Sequence, residues 1–134
     1  MSADGVPNVS PKEIFVPRGD RELLIANIAS PQSARNIRER PAVCVSFVDV
    51  FVQKGFKLAG TAEVIGTGDG AFESLAGPLR AKAGPDFPFK TLFRVSVGSV
   101  LEIVAPRYRL FPETPESDQV AAARAAYGVT AART

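Results

Sequence analysis

The chain has no histidine and no tryptophan, and only one cysteine, one methionine and two tyrosines in 134 residues. Without histidine there is no Ser-His-Asp or Cys-His catalysis, no His-ligated zinc and no imidazole acid–base chemistry. The single cysteine, Cys44, rules out an intramolecular disulfide and a Cys-rich metal site. It lies in the apolar run Val43-Cys44-Val45-Ser46-Phe47, where a buried, inert thiol is expected. No apolar run approaches the ~20 residues of a membrane-spanning helix. A cytoplasmic protein with no membrane partner is the expectation. Neither sign of charge dominates: 16 Lys+Arg against 14 Asp+Glu leave +2, too little to argue for a nucleic-acid partner. The acidic residues Glu13, Asp49, Glu63 and Glu102 fall at no spacing that suggests a carboxylate dyad or a metal cage. No catalytic residue and no metal ligand is therefore assigned, and any chemistry would need a borrowed cofactor.

What is present describes an ordinary folded chain, 46% apolar and 22% charged, of a length suited to one domain over residues 1–134. Residues 6–16 read as an extended, proline-marked edge strand that turns at Arg18-Gly19-Asp20 into a second strand over 22–28, forming a hairpin. Ser30-Pro31 opens a helix to about Arg40, with Ser30 as its N-cap. Residues 42–52 are nearly all apolar and suggest a strand buried on both faces. Lys54-Gly55 turns the chain into an antiparallel partner over 56–65, in which Gly60 suggests a close backbone approach. After the turn 66–70 a short helix is expected to break at Pro78. A long strand over 91–105 follows, and Arg107 to Phe111 alternates again. A last helix over about 115–127 should stop at Gly128. Many antiparallel strands and a few short helices predict a mainly β fold, a small barrel with helical decoration.

The start of the first helix is the most informative local feature. A helix N-terminus offers unpaired N–H groups and a positive dipole end to an anion. Ser30 and Ser33 add hydroxyls there, Gln32 an amide, and Arg35 and Arg38 positive charge. The alternative is a capped surface helix with its arginines in water. Arg107-Tyr108-Arg109 carries a weaker suggestion of a single-strand nucleic-acid patch.

Four stretches in series carry a family resemblance: Asp4 to Lys12 (DGVPNVSPK), Ser30 to Ile37 (SPQSARNI), Pro41-Ala42-Val43, and Lys54 to Val64 (KGFKLAGTAEV). Together they resemble the pyridoxamine 5′-phosphate oxidase-related, FMN-binding split-barrel family, in particular its short bacterial branch. The resemblance implies a six-stranded antiparallel split β-barrel, usually a homodimer with FMN at the subunit interface. It marks Ser10, Lys12, Ala26, Asn27, Ser30, Gln32 and Ser33 for the flavin phosphate region. Lys54, Phe56 and Lys57 fall where a neighbouring strand approaches the flavin ring, and Lys54 or Lys57 could favour the reduced anion. The implied function is an FMN-dependent oxidoreductase-like protein acting on an unidentified small molecule. A non-catalytic flavin-binding, storage or sensing dimer and a deazaflavin-dependent reductase are the alternatives. Three departures go with it. Met1 sits almost on the Asp-Gly turn, so either the start is placed late or the barrel lacks or replaces the usual first strand. The helix start is neutral at Pro31-Gln32-Ser33. The substrate segment of the oxidase proper has no counterpart in 113–134, so pyridoxamine phosphate oxidation itself is not expected.

Overall fold

The computed structural model describes residues 1–130; the last four residues of the expected 1–134 domain lie outside them. Five strands and four helices follow in the order β1 (Phe15–Arg18), β2 (Glu22–Ala26), α1 (Pro31–Glu39), β3 (Ala42–Asp49), β4 (Lys54–Gly66), α2 (Phe72–Ala83), β5 (Thr91–Val104), α3 (Pro106–Leu110) and α4 (Glu116–Tyr127). The strands form one sheet in the order β1-β2-β5-β4-β3. Two compact units divide the chain: Met1–Cys44 with Ala59–Ser99, and Val45–Leu58 with the part from Val100 onward. Among the described residues no helix is long and apolar enough to cross a membrane.

In the first unit, β1 and β2 pair antiparallel from Phe15↔Ile25 to Arg18↔Glu22, the expected hairpin, with Gly19 at φ +58° in its turn. β2 then pairs antiparallel with β5, Leu23 opposite Val95 and Ile25 opposite Phe93. Four successive residues of β2, Leu23 to Ala26, are buried, so both of its faces are covered. On one face Leu24, Ala26 and Leu92 meet Phe72, Leu75, Ala76 and Leu79 of α2. That i, i+3, i+4, i+7 stripe carries α2 past Pro78, where the sequence suggests a break. Each fully buried apolar side chain contributes about 1.5–3 kcal/mol, which offsets the hydrogen bond that proline removes. The helix ends at Gly84, φ +71°.

The expected count of six strands is not reached among the described residues. Only 15–18 of the long first run is strand, because Pro7 and Pro11 lack the N–H groups a ladder needs. The alternating stretch Arg107–Phe111 is helical at α3, where Pro106 supplies a pre-set φ at the first helical position. β3 alternates between half-buried Val43, Val45 and Phe47 and exposed neighbours, and Cys44 is exposed, not buried. β3 stands at the end of the sheet order, so its apolar composition does not bring cover on both faces. It also ends earlier than expected. The Asp49 carboxylate accepts from the N–H groups of Phe51 and Val52, both at 2.9 Å, and Gln53 takes φ +58°. The turn is therefore 50–53, and Lys54-Gly55 already belongs to β4.

In the second unit Tyr108 Oη donates to the Val52 carbonyl at 2.8 Å, and the Phe51 and Tyr127 rings lie 6.2 Å apart. α4 closes at Gly128, φ +67°, with the Val129 N–H on Arg124 and the Gly128 N–H on Ala125, a Schellman ending.

Gly60 fulfils the expected close approach. A Cβ there would fall inside the contact shell of the Ser96 carbonyl oxygen on β5. Gly60→Ala is expected to cost about 1–3 kcal/mol, as overpacking does. Gly68→Ala, which meets no atom within 4 Å, should cost far less. Urea unfolding of the two variants compares them.

Candidate functional site

Three of the expected site residues come together in the first unit. Lys12 Nζ donates to Ser10 Oγ at 2.6 Å and to Ser30 Oγ at 2.5 Å, and the two hydroxyls lie 2.9 Å apart. The Lys12 ammonium also stands 5.9 Å from the Phe93 ring centroid, a cation–π distance. Among the described residues Lys12 makes no ion pair with a carboxylate. Burial lowers its pKa from the ordinary lysine value, because low-dielectric surroundings penalise the charged form. A single cation held by neutral hydroxyls is thus the electrostatic content of the cluster.

Backbone tethers bring the two stretches together. The Ala26 N–H donates to the Ile14 carbonyl at 2.9 Å, fixing the segment that follows Ser10 and Lys12 beside β2. The chain leaving β2 then reaches Ser30 in four residues. Ser30 occupies the N-cap of α1, but its side chain makes no capping hydrogen bond; the hydroxyl is taken by Lys12 and Ser10 instead. This corrects the capping role expected from sequence. The two alternatives compete for one oxygen, and the bond to an ammonium is the stronger.

The remaining expected residues are placed as follows. Ala26 is buried in the apolar core at 3% exposure, so only its backbone is offered to a ligand. Asn27 donates from Nδ2 to Thr91 Oγ1 at 2.9 Å, while its Oδ1 is buried without a partner. Asn27, Ser30 and Thr91 line a cavity of about 430 Å³ together with Ile28, Pro31, Pro88, Phe89 and Lys90. Gln32 donates to Asn36 Oδ1 at 2.7 Å and accepts from Arg35 at 2.6 Å, so it is engaged along its own helix. Ser33 Oγ accepts from Asn8 Nδ2 at 3.2 Å. Sequence reasoning missed Asn8, Phe93 and Thr91. Asn8 lies inside the resembling stretch and could have been found there; Thr91, 64 positions from Asn27, gives no local signal.

Lys54, Phe56 and Lys57 belong to the second unit. Lys54 Nζ donates to Glu116 Oε1 at 2.7 Å and lies 4.4 Å from the Tyr108 ring centroid. The Glu116 hydrogen bond raises its pKa above the ordinary value, with the nearby charges of Glu116, Tyr108 and Glu102 adding to it. Phe56 and Lys57 are exposed. A raised folded-state pKa means that the pair's contribution is present below the unfolded lysine value of about 10.4. It is lost as pH rises through the folded value. Glu116→Gln should move the Lys54 titration back down, read by NMR of the lysine Cε; an unmoved titration would refute the pairing.

The family model described as Pyridoxamine 5′-phosphate oxidase matches residues 1–109. No curated protein sequence matches the chain significantly. Several solved structures share the fold. HupZ of Group A Streptococcus is similar at 22% identity and TM-score 0.65, over 76% of this chain and 78% of that one. An FMN-binding protein from Syntrophomonas wolfei is similar at 15% identity and TM-score 0.61, over 78% and 74%. A Clostridium acetobutylicum protein related to general stress protein 26, of the pyridoxinephosphate oxidase family, is similar at 20% identity and TM-score 0.59, over 77% and 74%.

Proposed function

This chain belongs to the pyridoxamine 5′-phosphate oxidase family, and on that premise we propose that it is an FMN-binding oxidoreductase-like protein, a cytoplasmic homodimer acting on a small molecule. The observation that carries the reading is Lys12, a cation whose partners are the two hydroxyls of Ser10 and Ser30 and no carboxylate. A phosphate oxygen would find three donors there, beside the N-terminus of α1. The structural likeness to an FMN-binding protein of another bacterium supports the same cofactor. The Lys12, Ser10 and Ser30 donors fit the phosphate end of FMN, while the buried acceptor Asn27 Oδ1, on the cavity that Ser30 also lines, suits a ligand hydroxyl and not the phosphate. By the family resemblance Lys54, Phe56 and Lys57, in the second unit, are proposed as flavin-ring contacts. Bound FMN would supply the hydride exchange, so the absence of histidine is no obstacle. The reading brings with it the family's split barrel, of which five antiparallel strands are present among the described residues.

A non-catalytic flavin-binding dimer is the second reading, favoured by one observation. The Lys54 charge is already balanced by Glu116, leaving Lys57 as the free candidate to stabilise a reduced ring. Turnover with NADH or NADPH separates the two readings.

FMN fluorescence should be quenched on titration with purified protein, and Lys12→Met should weaken binding about 10- to 100-fold, the value of one charge-assisted hydrogen bond. Affinity should also fall as pH rises through the lowered Lys12 pKa, because the ammonium is then lost. No quenching sinks the FMN reading, and preferential displacement by a deazaflavin replaces the cofactor.

The dimer is supported by the second unit. Among its described residues only Gln119 and Ala123 are buried, while Val100 (56%), Leu101 (55%), Leu110 (72%) and Phe111 (59%) are exposed. Apolar surface of this kind needs cover. Light scattering should give twice the 14.2 kDa chain mass, and Leu101→Asp should shift the protein toward monomer. A wild-type monomer at micromolar concentration would defeat the proposal.

A further inference from the structure

We infer that Ser30 is a nucleophile toward small acyl esters, with Lys12 as its general base and Ser10 as the hydroxyl that positions both. Ser30 is free for this work because its side chain does not cap the helix it begins. Its Oγ lies 2.5 Å from Lys12 Nζ and 2.9 Å from Ser10 Oγ, within proton-transfer reach of the amine. Lys12 has no carboxylate among the described residues to hold it in the charged form, and burial lowers its pKa, which brings the free amine that a base requires closer to reach. Ser30 also borders the cavity of about 430 Å³, whose Ile28, Pro31, Pro88 and Phe89 offer apolar walls to an acyl group. The first turn of α1 begins beside the same hydroxyl, so the positive end of the helix lies next to it.

The chemistry balances without an added cofactor. Ser30 Oγ forms a bond to the acyl carbon and its proton passes to Lys12 Nζ. The ester C–O bond then breaks, and the Lys12 ammonium returns the proton to the leaving alkoxide. Water attacks the acyl-Ser30 carbon by the same relay, releasing the carboxylic acid and restoring the serine hydroxyl and the neutral amine. The inference goes beyond the flavin reading and uses the same side chains. A phosphate bound to Lys12 would hold it as an ammonium, so flavin occupancy should silence the base.

The test uses full-length protein stripped of flavin, with p-nitrophenyl butyrate as substrate and a fluorophosphonate as covalent probe. The expected result is a probe adduct mapped by mass spectrometry to Ser30, and ester hydrolysis that falls about 100-fold or more in Ser30→Ala. Lys12→Arg keeps the positive charge but supplies no base, and should slow labelling of Ser30 by a similar factor while its circular dichroism and melting match wild type. Added FMN should protect Ser30. Absence of a Ser30 adduct on the wild-type protein overturns the inference, as does Lys12→Arg labelling at the wild-type rate. Ser30 labelling in a protein that takes up no FMN leaves the inference standing while the flavin reading falls, so the two failures are distinct.

Discussion

The burial of β2 on both faces is the constraint from which the first unit follows. Leu24 and Ala26 face α2, while Leu23 and Ile25 stand opposite Val95 and Phe93 on β5. Because successive strand residues alternate between faces, one register sets both layers at once. A slip by one residue would place Phe93 in the α2 layer and remove the ring over which Lys12 rests. The same strand tethers both halves of the candidate site. Ile14 is held by the Ala26 N–H, and the Asn27 N–H is held by the Thr91 carbonyl at 3.0 Å. Core and site are therefore one packing problem, and a change that loosens β2 reaches Lys12 without touching it.

The chemistry that results is conditional on charge. Two hydroxyls can stabilise an ammonium but cannot compensate it as a carboxylate does, so partial burial acts on Lys12 unopposed. Lys54 shows the opposite case, where Glu116 holds the charged form in place. Two lysines of one sequence thus differ in what they offer. Lys12 has no carboxylate partner among the described residues, whereas Lys54 already has one. This contrast argues for placing the ligand-dependent step at Lys12.

Features set by local chain chemistry were legible in the sequence. The β1–β2 hairpin, the start of α1 at Pro31 and the stop at Gly128 each depend on a few neighbouring residues, and Gly60 signalled a close approach though its partner, Ser96, lies far along the chain. Features decided by distant partners were not. Pro78 marks a break by local rules, and only the stripe from Phe72 to Leu79 carries the helix through it. Arg107 to Phe111 alternates like a strand, yet it follows a proline suited to opening a helix. In the site, the grouping of Ser10, Lys12 and Ser30 was reached through the family resemblance rather than spacing. The capping role given to Ser30 failed because a lysine 18 positions away competes for its oxygen. Ala26, marked for the phosphate region by the resemblance, has its methyl group in the core of a covered strand.

Composition was silent on a larger matter, the distribution of apolar residues. A 46% apolar chain is ordinary as an average, and the first unit uses its share to cover β2, β5 and α2. The second unit does not. Its strand ends and helices expose Phe56, Val100, Leu101 and Phe111, each at half or more of its surface. Its internal links are instead tyrosine hydroxyls on the carbonyls of Val50 and Val52 and the Lys54–Glu116 pair. Such bonds fix a shape but contribute little net free energy in water, about 1 kcal/mol each. The second unit is thus shaped by polar links and leaves these apolar side chains exposed among the described residues. β3, read as covered on both faces, leaves Cys44 and its other even-numbered residues exposed. The apolar pattern misled about β3 because composition counts apolar residues without saying how many layers cover them, and only Val43, Val45 and Phe47 are even half-buried.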